Sequence, residues 1–223
     1  MKIIVLNHKM NLYYNELDNY INRINKINNP LIIAPSNIYL TEFIKNCQHK
    51  ISSQDVCYIE DGNYTGKVSW SQIKSLGIKY SLVGHSEKND NIDKINIKLK
   101  VCLSNDITPI LCFGNENKEE NITNVLSKIN LNDINNVIFA YEPLFNISSN
   151  NIDINYITKQ INIIHTYLQD KYGQKPIVLY GGGINKHNIL DIYNIEKLNG
   201  ILLGSISSDI DEVEQLLLKI NEK

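Results

Sequence analysis

A single carboxylate follows an apolar, strand-like run in the second half of the sequence. Residues 137–141 are apolar or aromatic, Glu142 comes directly after them, and Pro143 restricts the backbone at the next position. A carboxylate at the end of a rigid strand with apolar neighbours loses part of its hydration, which makes it a stronger base. A Glu before a Pro is, by itself, more often a surface residue. The candidate base is therefore Glu142, and the polar segment up to about Asp153 is long enough to cover it.

Two further strings place polar residues directly after strand-like runs. One reads Asn-His-Lys-Met-Asn at residues 7–11, and the other reads Leu-Val-Gly-His-Ser-Glu at residues 82–87. The Ser and Glu after His85 are typical of the first turn of a helix, and a helix N-terminus disfavours the charged form of a His. A neutral imidazole there can donate a hydrogen bond to a carbonyl oxygen. An isolated His is usually structural, and an isolated Lys such as Lys9 is usually solvated, so neither string is decisive alone.

Two glycine turns follow the last two strand-like runs. They are a Gly-Gly-Gly run at residues 181–183 and a Gly-Ser pair at residues 204–205. Backbone N–H groups that glycine leaves accessible, beside a helix N-terminus, bind anions such as phosphate. One such turn is only a turn signal, but two at consecutive strand ends are more specific. The candidate phosphate-binding residues are Gly182, Gly183, Gly204 and Ser205.

Short β-branched runs alternate with segments of helical period along the whole chain. Strands are predicted at residues 2–6, 31–34, 50–53, 78–83, 107–112, 137–141, 176–180 and 200–203. Helices are predicted at residues 15–27, 38–47, 68–76, 92–103, 118–129, 156–172, 186–193 and 209–220. Eight β/α units indicate a (β/α)₈ barrel, predicted as a single domain over residues 1–223. A doubly wound open sheet alternates in the same way, but it would scatter the polar strand ends that a barrel brings together.

Composition excludes several classes of function. The chain has 223 residues, of which 43% are hydrophobic and 21% charged, with a formal net charge of −2. No basic stripe predicts nucleic-acid binding, and no apolar run approaches the roughly 18 residues that a membrane span needs. Cys47, Cys57, Cys102 and Cys112 lack metal-ligand spacing, so no metal is predicted. Unpaired cysteines, and a first strand that begins next to Met1, predict a cytoplasmic protein.

The strings described above resemble those of the triosephosphate isomerase family, and the resemblance extends from the first strand to the last. The family's Ala-Tyr-Glu-Pro segment is intact at residues 140–143, and its Gly-His-Ser-Glu segment is intact at residues 84–87. Residues 7–11 differ from the family's Asn-Trp-Lys-Met-Asn only at His8. The resemblance implies interconversion of dihydroxyacetone phosphate and glyceraldehyde 3-phosphate through an enediolate, in glycolysis and gluconeogenesis. It implies no metal and no organic cofactor.

The resemblance also implies a role for each matched residue. Glu142 would remove the proton from the carbon next to the substrate carbonyl, and His85 would act as the electrophile. Lys9 would supply positive charge for the phosphorylated substrate, with Asn7 and Glu87 supporting it. Asn7 and Lys9 would both belong to the substrate-binding residues. The loop at residues 61–66 resembles the family's interdigitating loop, which implies a homodimer in which Thr65 enters the partner subunit. A mobile surface hairpin is the alternative for this polar loop.

Besides His8, the chain departs from the family pattern in the lid and at four single positions. Residues 145–150 read Phe-Asn-Ile-Ser-Ser-Asn where the family lid usually reads Trp-Ala-Ile-Gly-Thr-Gly, with Ser148 keeping the phosphate-facing amide and Ser149 and Asn150 altered. Lys88 and Asn115 stand for an Arg and an acidic residue, so a supporting ion pair is expected to be missing. Gly183 replaces a usual Ser, and Ser205 a usual Gly. The alternative function is therefore a catalytically weakened barrel that binds a phosphorylated ligand or a protein partner.

Overall fold

A closed barrel of eight parallel strands forms the centre of the molecule. The computed structural model describes residues 2–114, 122–132, 134–143 and 152–222. The strands are β1 Ile3–Asn7, β2 Leu31–Ala34, β3 Lys50–Ser53, β4 Tyr80–Val83, β5 Thr108–Phe113, β6 Ile138–Tyr141, β7 Ile177–Tyr180 and β8 Gly200–Leu203. Each strand pairs with the next, and β8 pairs with β1 in a register that sets Leu6 opposite Leu203. The predicted (β/α)₈ barrel is confirmed, and the open-sheet alternative is wrong.

The α-helices of the described residues alternate with the strands. They are α1 Leu17–Ile24, α2 Leu40–Asn46, α3 Trp70–Ser75, α4 Ile92–Ser104, α5 Ile122–Ser127, α6 Ile154–Tyr172, α7 Ile189–Tyr193 and α8 Ile210–Asn221. Several are shorter than the sequence pattern predicts. Before α1 and α2 the chain forms short 3₁₀ helices, at Tyr14–Glu16 and Asn37–Tyr39. A 3₁₀ helix is wound more tightly than an α-helix.

Alternation along the strands divides the apolar residues into two layers. Side chains such as Val5, Ile110 and Leu202 form one buried cluster inside the barrel, whereas Ile4, Leu6 and their counterparts pack with the helices in a larger cluster. Because the side-chain period of a strand is two, the residue two positions past an inward-facing side chain faces inward too. Each interior layer therefore continues upward into the residues at the strand ends.

The glycine that begins β8 allows the barrel to close. A Cβ atom placed on Gly200 would lie only 1.9 Å from the carbonyl oxygen of Ile3. The clashing atom belongs to the backbone of β1, so it cannot move away without opening the pairing of β1 with β8. Gly200 is thus required by close strand approach and not by an unusual φ angle.

No helix among the described residues combines the length and apolar character that crossing a membrane requires.

Substituting Gly200 tests how far the fold depends on this approach. Gly200→Ala should lower the free energy of unfolding by roughly 3 kcal/mol or more, because overpacking against backbone cannot relax by a rotamer change. Gly173 is the matched control, since its φ is +67° and a Cβ there meets nothing within 4 Å. Gly173→Ala should cost only about 1–2 kcal/mol, from backbone strain alone. Urea unfolding of both variants at one protein concentration measures the difference, and equal losses would contradict the role of Gly200.

Candidate active site

Glu142 lies one residue past β6, at the carboxyl end of the barrel. Ile138 and Ala140 belong to the interior layer, so the period of two turns Glu142 inward as well. Its backbone N–H donates to the carbonyl of Phe113 at 2.7 Å, which extends the sheet by one residue and fixes the position of the side chain. That side chain is 9% exposed, and Oε1 is buried with no hydrogen-bond partner in the described part of the chain.

The environment of Glu142 strengthens it as a base. Burial raises the pKa of the carboxyl group above its ordinary value of 4.5, against the lowering effects of His85, Cys112 and Lys9. Cys112, inside the barrel, is also buried, and its own thiol pKa is raised well above 9.0 by burial and by Glu142. A thiol that stays protonated can donate to the carboxylate without adding a second negative charge.

Gly181 provides the space that the carboxylate occupies. A Cβ atom at this position would lie 2.7 Å from Cγ and 3.2 Å from Cδ of Glu142. Any larger residue would therefore push the carboxylate out of place. The sequence grouped Gly181 with the phosphate-binding glycine run, but the structure places it against Glu142. Position 181 is two residues past the inward-facing Leu179, so it faces inward as well. A glycine at such a position was the signal available in the sequence.

His85 faces Glu142 across the mouth of the barrel. Its Nε2 atom lies 3.7 Å from Oε2 of Glu142, and its side chain is 8% exposed. Its Nδ1 atom accepts the backbone N–H of Glu87 at 3.3 Å. An Nδ1 that accepts a hydrogen bond carries no proton, so the neutral tautomer bears its proton on Nε2, toward the barrel mouth.

The Ser and Glu after His85 were expected to form the first turn of a helix, but the structure has only a short helical turn there. His85 precedes a 3₁₀ helix of three residues, Ser86–Lys88, and α4 starts only at Ile92. The dipole of a full α-helix therefore does not act on the imidazole. The N–H of Glu87 instead donates to Nδ1 and orients the ring, with Nε2 toward Glu142.

Lys9 projects toward the same site from the loop after β1. Its backbone has a φ of 53°, a left-handed conformation that costs a non-glycine residue energy. The Lys9 N–H donates to Asn7 Oδ1 at 3.2 Å, and its carbonyl accepts from Gln54 Nε2 at 2.7 Å. Nζ forms an ion pair with Glu87 Oε1 at 2.5 Å. These contacts hold the strained turn.

Gln54 was not recognised in the sequence as part of the site. Its Nε2 also donates to the carbonyl of Ala34 at 3.0 Å, so it joins the loops after β1, β2 and β3. Gln54 follows Ser53, the last residue of β3. A polar residue directly after a strand was the signal by which the sequence could have identified it.

The turn after β8 lies beside Lys9. A Cβ atom on Gly204 would be 3.7 Å from Lys9 Cε, so the Lys9 side chain passes over this residue. Exposed Ser205 begins the 3₁₀ helix Ser205–Ser208. After β7, Gly182 is buried and Gly183 has a φ of 54°, with its carbonyl accepting from Asn188 Nδ2 at 3.0 Å.

Some predicted residues lie outside the described part of the chain. These are the lid residues Ser148, Ser149 and Asn150, and Asn115. Lys88 was expected to lack its usual partner, but it makes a different ion pair, with Asp55 Oδ2 at 3.0 Å. Thr65 is exposed in the single chain.

A buried ionic cluster supports the loop that carries His85. Lys98, 2% exposed, contacts Asp55 Oδ1 and lies 2.5 Å from Asp90 Oδ2. Asp55 in turn pairs with Lys88. Burial acts to raise the pKa of Asp90, but hydrogen bonds from Lys94 and Lys98 outweigh it, so the pKa is lowered and the carboxylate stays ionised. The cluster ties the loop after β3 to the residues between His85 and α4.

The arrangement suits removal of a proton next to a carbonyl group. A carboxylate with a raised pKa, an imidazole N–H and a Lys ammonium come from three different strand ends. Together they can accept a proton, polarise a carbonyl oxygen and neutralise the charge that develops. Within the described ranges, no three His, Cys, Asp or Glu side chains are grouped so that they could hold a metal ion.

Comparison with known proteins gives consistent matches over almost the whole chain. A family model described as triosephosphate isomerase matches residues 2–220. A triosephosphate isomerase of Orientia tsutsugamushi (strain Ikeda) is 31% identical, over 96% of each chain. One from Buchnera aphidicola subsp. Baizongia pistaciae (strain Bp) is 32% identical, over 97% of this chain and 98% of the relative. One from Mycoplasma genitalium is 33% identical, over 80% of each chain.

Proposed function

The chain belongs to the triosephosphate isomerase family, and we propose that Glu142, His85 and Lys9 carry out the isomerisation. The enzyme interconverts dihydroxyacetone phosphate and D-glyceraldehyde 3-phosphate, a step of glycolysis and gluconeogenesis. The observation that supports these roles best is the 3.7 Å separation between Glu142 Oε2 and His85 Nε2 at the barrel mouth, both on buried side chains.

Glu142 is the base in this mechanism. Its carboxylate takes the proton from the carbon next to the substrate carbonyl, which leaves an enediolate, and returns it to the neighbouring carbon. Burial supports this role because a poorly hydrated carboxylate gains more from binding the proton. Gly181 sets the position of the carboxylate, so the distance to the substrate carbon does not depend on a flexible rotamer.

His85 and Lys9 stabilise the charge that develops on the oxygen. The Nε2–H of His85 donates to the carbonyl oxygen as it becomes an enediolate oxygen. Lys9 supplies a fixed positive charge, and its pairing with Glu87 orients it before the substrate arrives. The weakened-homologue alternative is not favoured, because the family match covers the chain and all three residues are present.

The phosphate group of the substrate would bind at the turns after β7 and β8. The backbone N–H groups of Gly182, Gly183 and Gly204 would donate to it there, with Ser148 of the lid as a further donor. The family's usual Ser hydroxyl is absent at Gly183. We propose that the hydroxyl of Ser205 replaces it, since Ser205 is exposed and directly follows Gly204.

We propose that two copies of the chain associate through the loops after β1, β2 and β3. These loops expose Met10 (88%), Ile38 (75%), Tyr14 (73%) and Tyr64 (53%). Because β1, β2 and β3 are neighbours in the barrel, the four apolar side chains belong to one side of its carboxyl end. Apolar surface of this kind is typical of an interface, and Thr65, beside Tyr64, would enter the partner.

We also propose that the enzyme works in the cytoplasm. Its four cysteines are free thiols, which suits a reducing compartment, and cell fractionation would test the assignment.

Glu142→Gln tests the proposed base because the amide keeps the shape of the side chain and cannot accept the proton. In a coupled isomerisation assay kcat should fall by roughly 10²–10⁴-fold, the usual contribution of a general base. The dissociation constant for glycerol 3-phosphate, which cannot isomerise, should change little. Glu196→Gln, at an exposed Glu away from the site, is the control and should keep wild-type activity.

The pH profile of the wild-type enzyme gives a second measure of the same residue. Only ionised Glu142 is active, so kcat/KM is lost as the pH falls through its pKa. Burial places that acid limb above 4.5. The inhibition constant of glycerol 3-phosphate, measured over the same range, separates ionisation of the ligand phosphate from that of Glu142.

Near-normal turnover of Glu142→Gln would remove this residue from the mechanism.

Ser205→Gly tests the proposed phosphate contact. A hydrogen bond to a charged group contributes roughly 1.5–3 kcal/mol, so glycerol 3-phosphate should bind about tenfold more weakly or worse. Ser205→Ala removes the same hydroxyl without the added backbone freedom and should show the same loss. Unchanged affinity in both variants would mean that the hydroxyl faces solvent and that backbone N–H groups alone hold the phosphate.

Sedimentation tests the proposed dimer. The wild-type protein should sediment as a dimer at micromolar concentration, and Thr65→Arg should shift it toward the monomer because a charged side chain would be forced into the partner. Thr166→Arg, at an exposed Thr on α6, is the control and should leave the dimer intact. A fully active wild-type monomer would contradict the proposal.

A further inference from the structure

His8 lies in the core beside the site, although it directly precedes Lys9. It is 1% exposed, and its ring makes edge contacts with Tyr20, at a centroid distance of 4.7 Å, and with Phe43, at 5.5 Å. Burial lowers the pKa of His8 to about 3, so its imidazole is neutral at ordinary pH. Nothing in the proposed mechanism uses this residue.

The hydroxyl of Tyr20 links His8 to a second loop. Tyr20 lies in α1 and is 1% exposed. Its O–H donates to the carbonyl of Ser207 at 2.6 Å, and its oxygen lies 2.9 Å from His8 Nε2. Because the single hydroxyl proton is used on Ser207, the Tyr20 oxygen accepts, and His8 donates from Nε2. His8 Nδ1 has no hydrogen-bond partner among the described residues, as expected of an unprotonated ring nitrogen in this tautomer.

The acceptor carbonyl belongs to the proposed phosphate-binding turn. Ser207 is fully buried in the 3₁₀ helix Ser205–Ser208, and its N–H donates to the carbonyl of Gly204 at 2.8 Å. One end of the chain of hydrogen bonds is therefore adjacent to Lys9, and the other lies within the turn that begins at Ser205. A single side chain of α1 therefore connects two loops that β1 and β8 bring side by side.

We propose that the linked residues His8, Tyr20 and Ser207, here called the tether, fix the distance between Lys9 and the phosphate-binding turn and so set the affinity for the phosphorylated substrate. The inference rests on the proposed function, since it assumes that both loops contact one ligand. Tyr20 and His8 are positioning residues, because neither can reach the substrate. A tether of neutral groups keeps this spacing without placing a second charge near Lys9.

Substrate affinity, more than turnover, should depend on the tether. The turn after β8 contacts the phosphate, which does not react, and it contacts the ground state and the transition state alike. Loss of such uniform binding raises KM and leaves kcat nearly unchanged. A residue with only a packing role would lower stability without this split.

Tyr20→Phe is the test, because it keeps the ring and removes only the hydroxyl. With two buried groups left unpaired, KM and the dissociation constant for glycerol 3-phosphate should both rise about fivefold or more, with kcat within about twofold of wild type. Tyr193→Phe is the matched control, since the Tyr193 hydroxyl bonds the N–H of Lys2 at the other end of the barrel. It should leave both constants unchanged.

A double variant separates positioning from stability. His8→Leu combined with Tyr20→Phe removes the unpaired imidazole donor, so part of the loss in Tm should be recovered. The Ser207 carbonyl stays unlinked, so KM should stay raised. This variant also carries the test if Tyr20→Phe alone fails to fold.

Three results would overturn the proposal. They are a wild-type KM in a folded Tyr20→Phe enzyme, a fall in kcat without a change in KM, and recovery of KM together with Tm in the double variant. An inactive wild-type enzyme would instead refute the proposed function. The titration with glycerol 3-phosphate would then still show whether the tether affects binding of a phosphorylated ligand.

Discussion

Closure of the sheet on itself is the constraint on which the rest of the structure depends. Pairing of β8 with β1 brings all eight carboxyl strand ends to one rim, and the period of two aims alternate residues at the axis. Glu142 continues the interior series of Ile138 and Ala140. Closure is possible because Gly200 lets two backbones meet where a side chain would not fit. In an open sheet the eight strand ends would lie in a row along one edge and would not surround a common axis.

Burial of Glu142 illustrates how such a site uses the interior. A buried carboxylate with one unpaired oxygen costs stability, yet the same desolvation raises its pKa and improves it as a base. The cost is limited by neighbours that lower the pKa, His85 and Lys9 among them. Gly181 has no side chain, and the Glu142 carboxylate occupies the space that a side chain would fill.

Polar contacts hold several of the loops at the carboxyl end of the barrel. Gln54 and Glu87 fix the strained turn at Lys9, and buried Lys98 binds two carboxylates that support the His85 loop. The contacts of Lys98 stabilise one arrangement because breaking them would leave a buried charge without a partner. Rigid positioning of a base, a donor and a cation reduces what substrate binding must order.

The sequence by itself determined the fold class, the order of the eight β/α units and the positions of Glu142, His85 and Lys9 at strand ends. It could do so because periodicity and strand-end polarity are local properties. Helix limits were less accurate, since the tight 3₁₀ turns before α1 and α2 depend on packing.

Only the tertiary structure decided which residues support the site. Gln54 and the pair His8 and Tyr20 meet their partners across distant segments, and Gly181 is explained by a carboxylate that lies far from it in sequence. The sequence predicted that Lys88 would lack an ion pair. In the folded chain Lys88 pairs with Asp55, which comes from a distant segment. Hydrogen bonds and close contacts between strand ends arise only in the folded barrel, so the local pattern could mark Gln54 and Gly181 as strand-end residues but could not identify their partners.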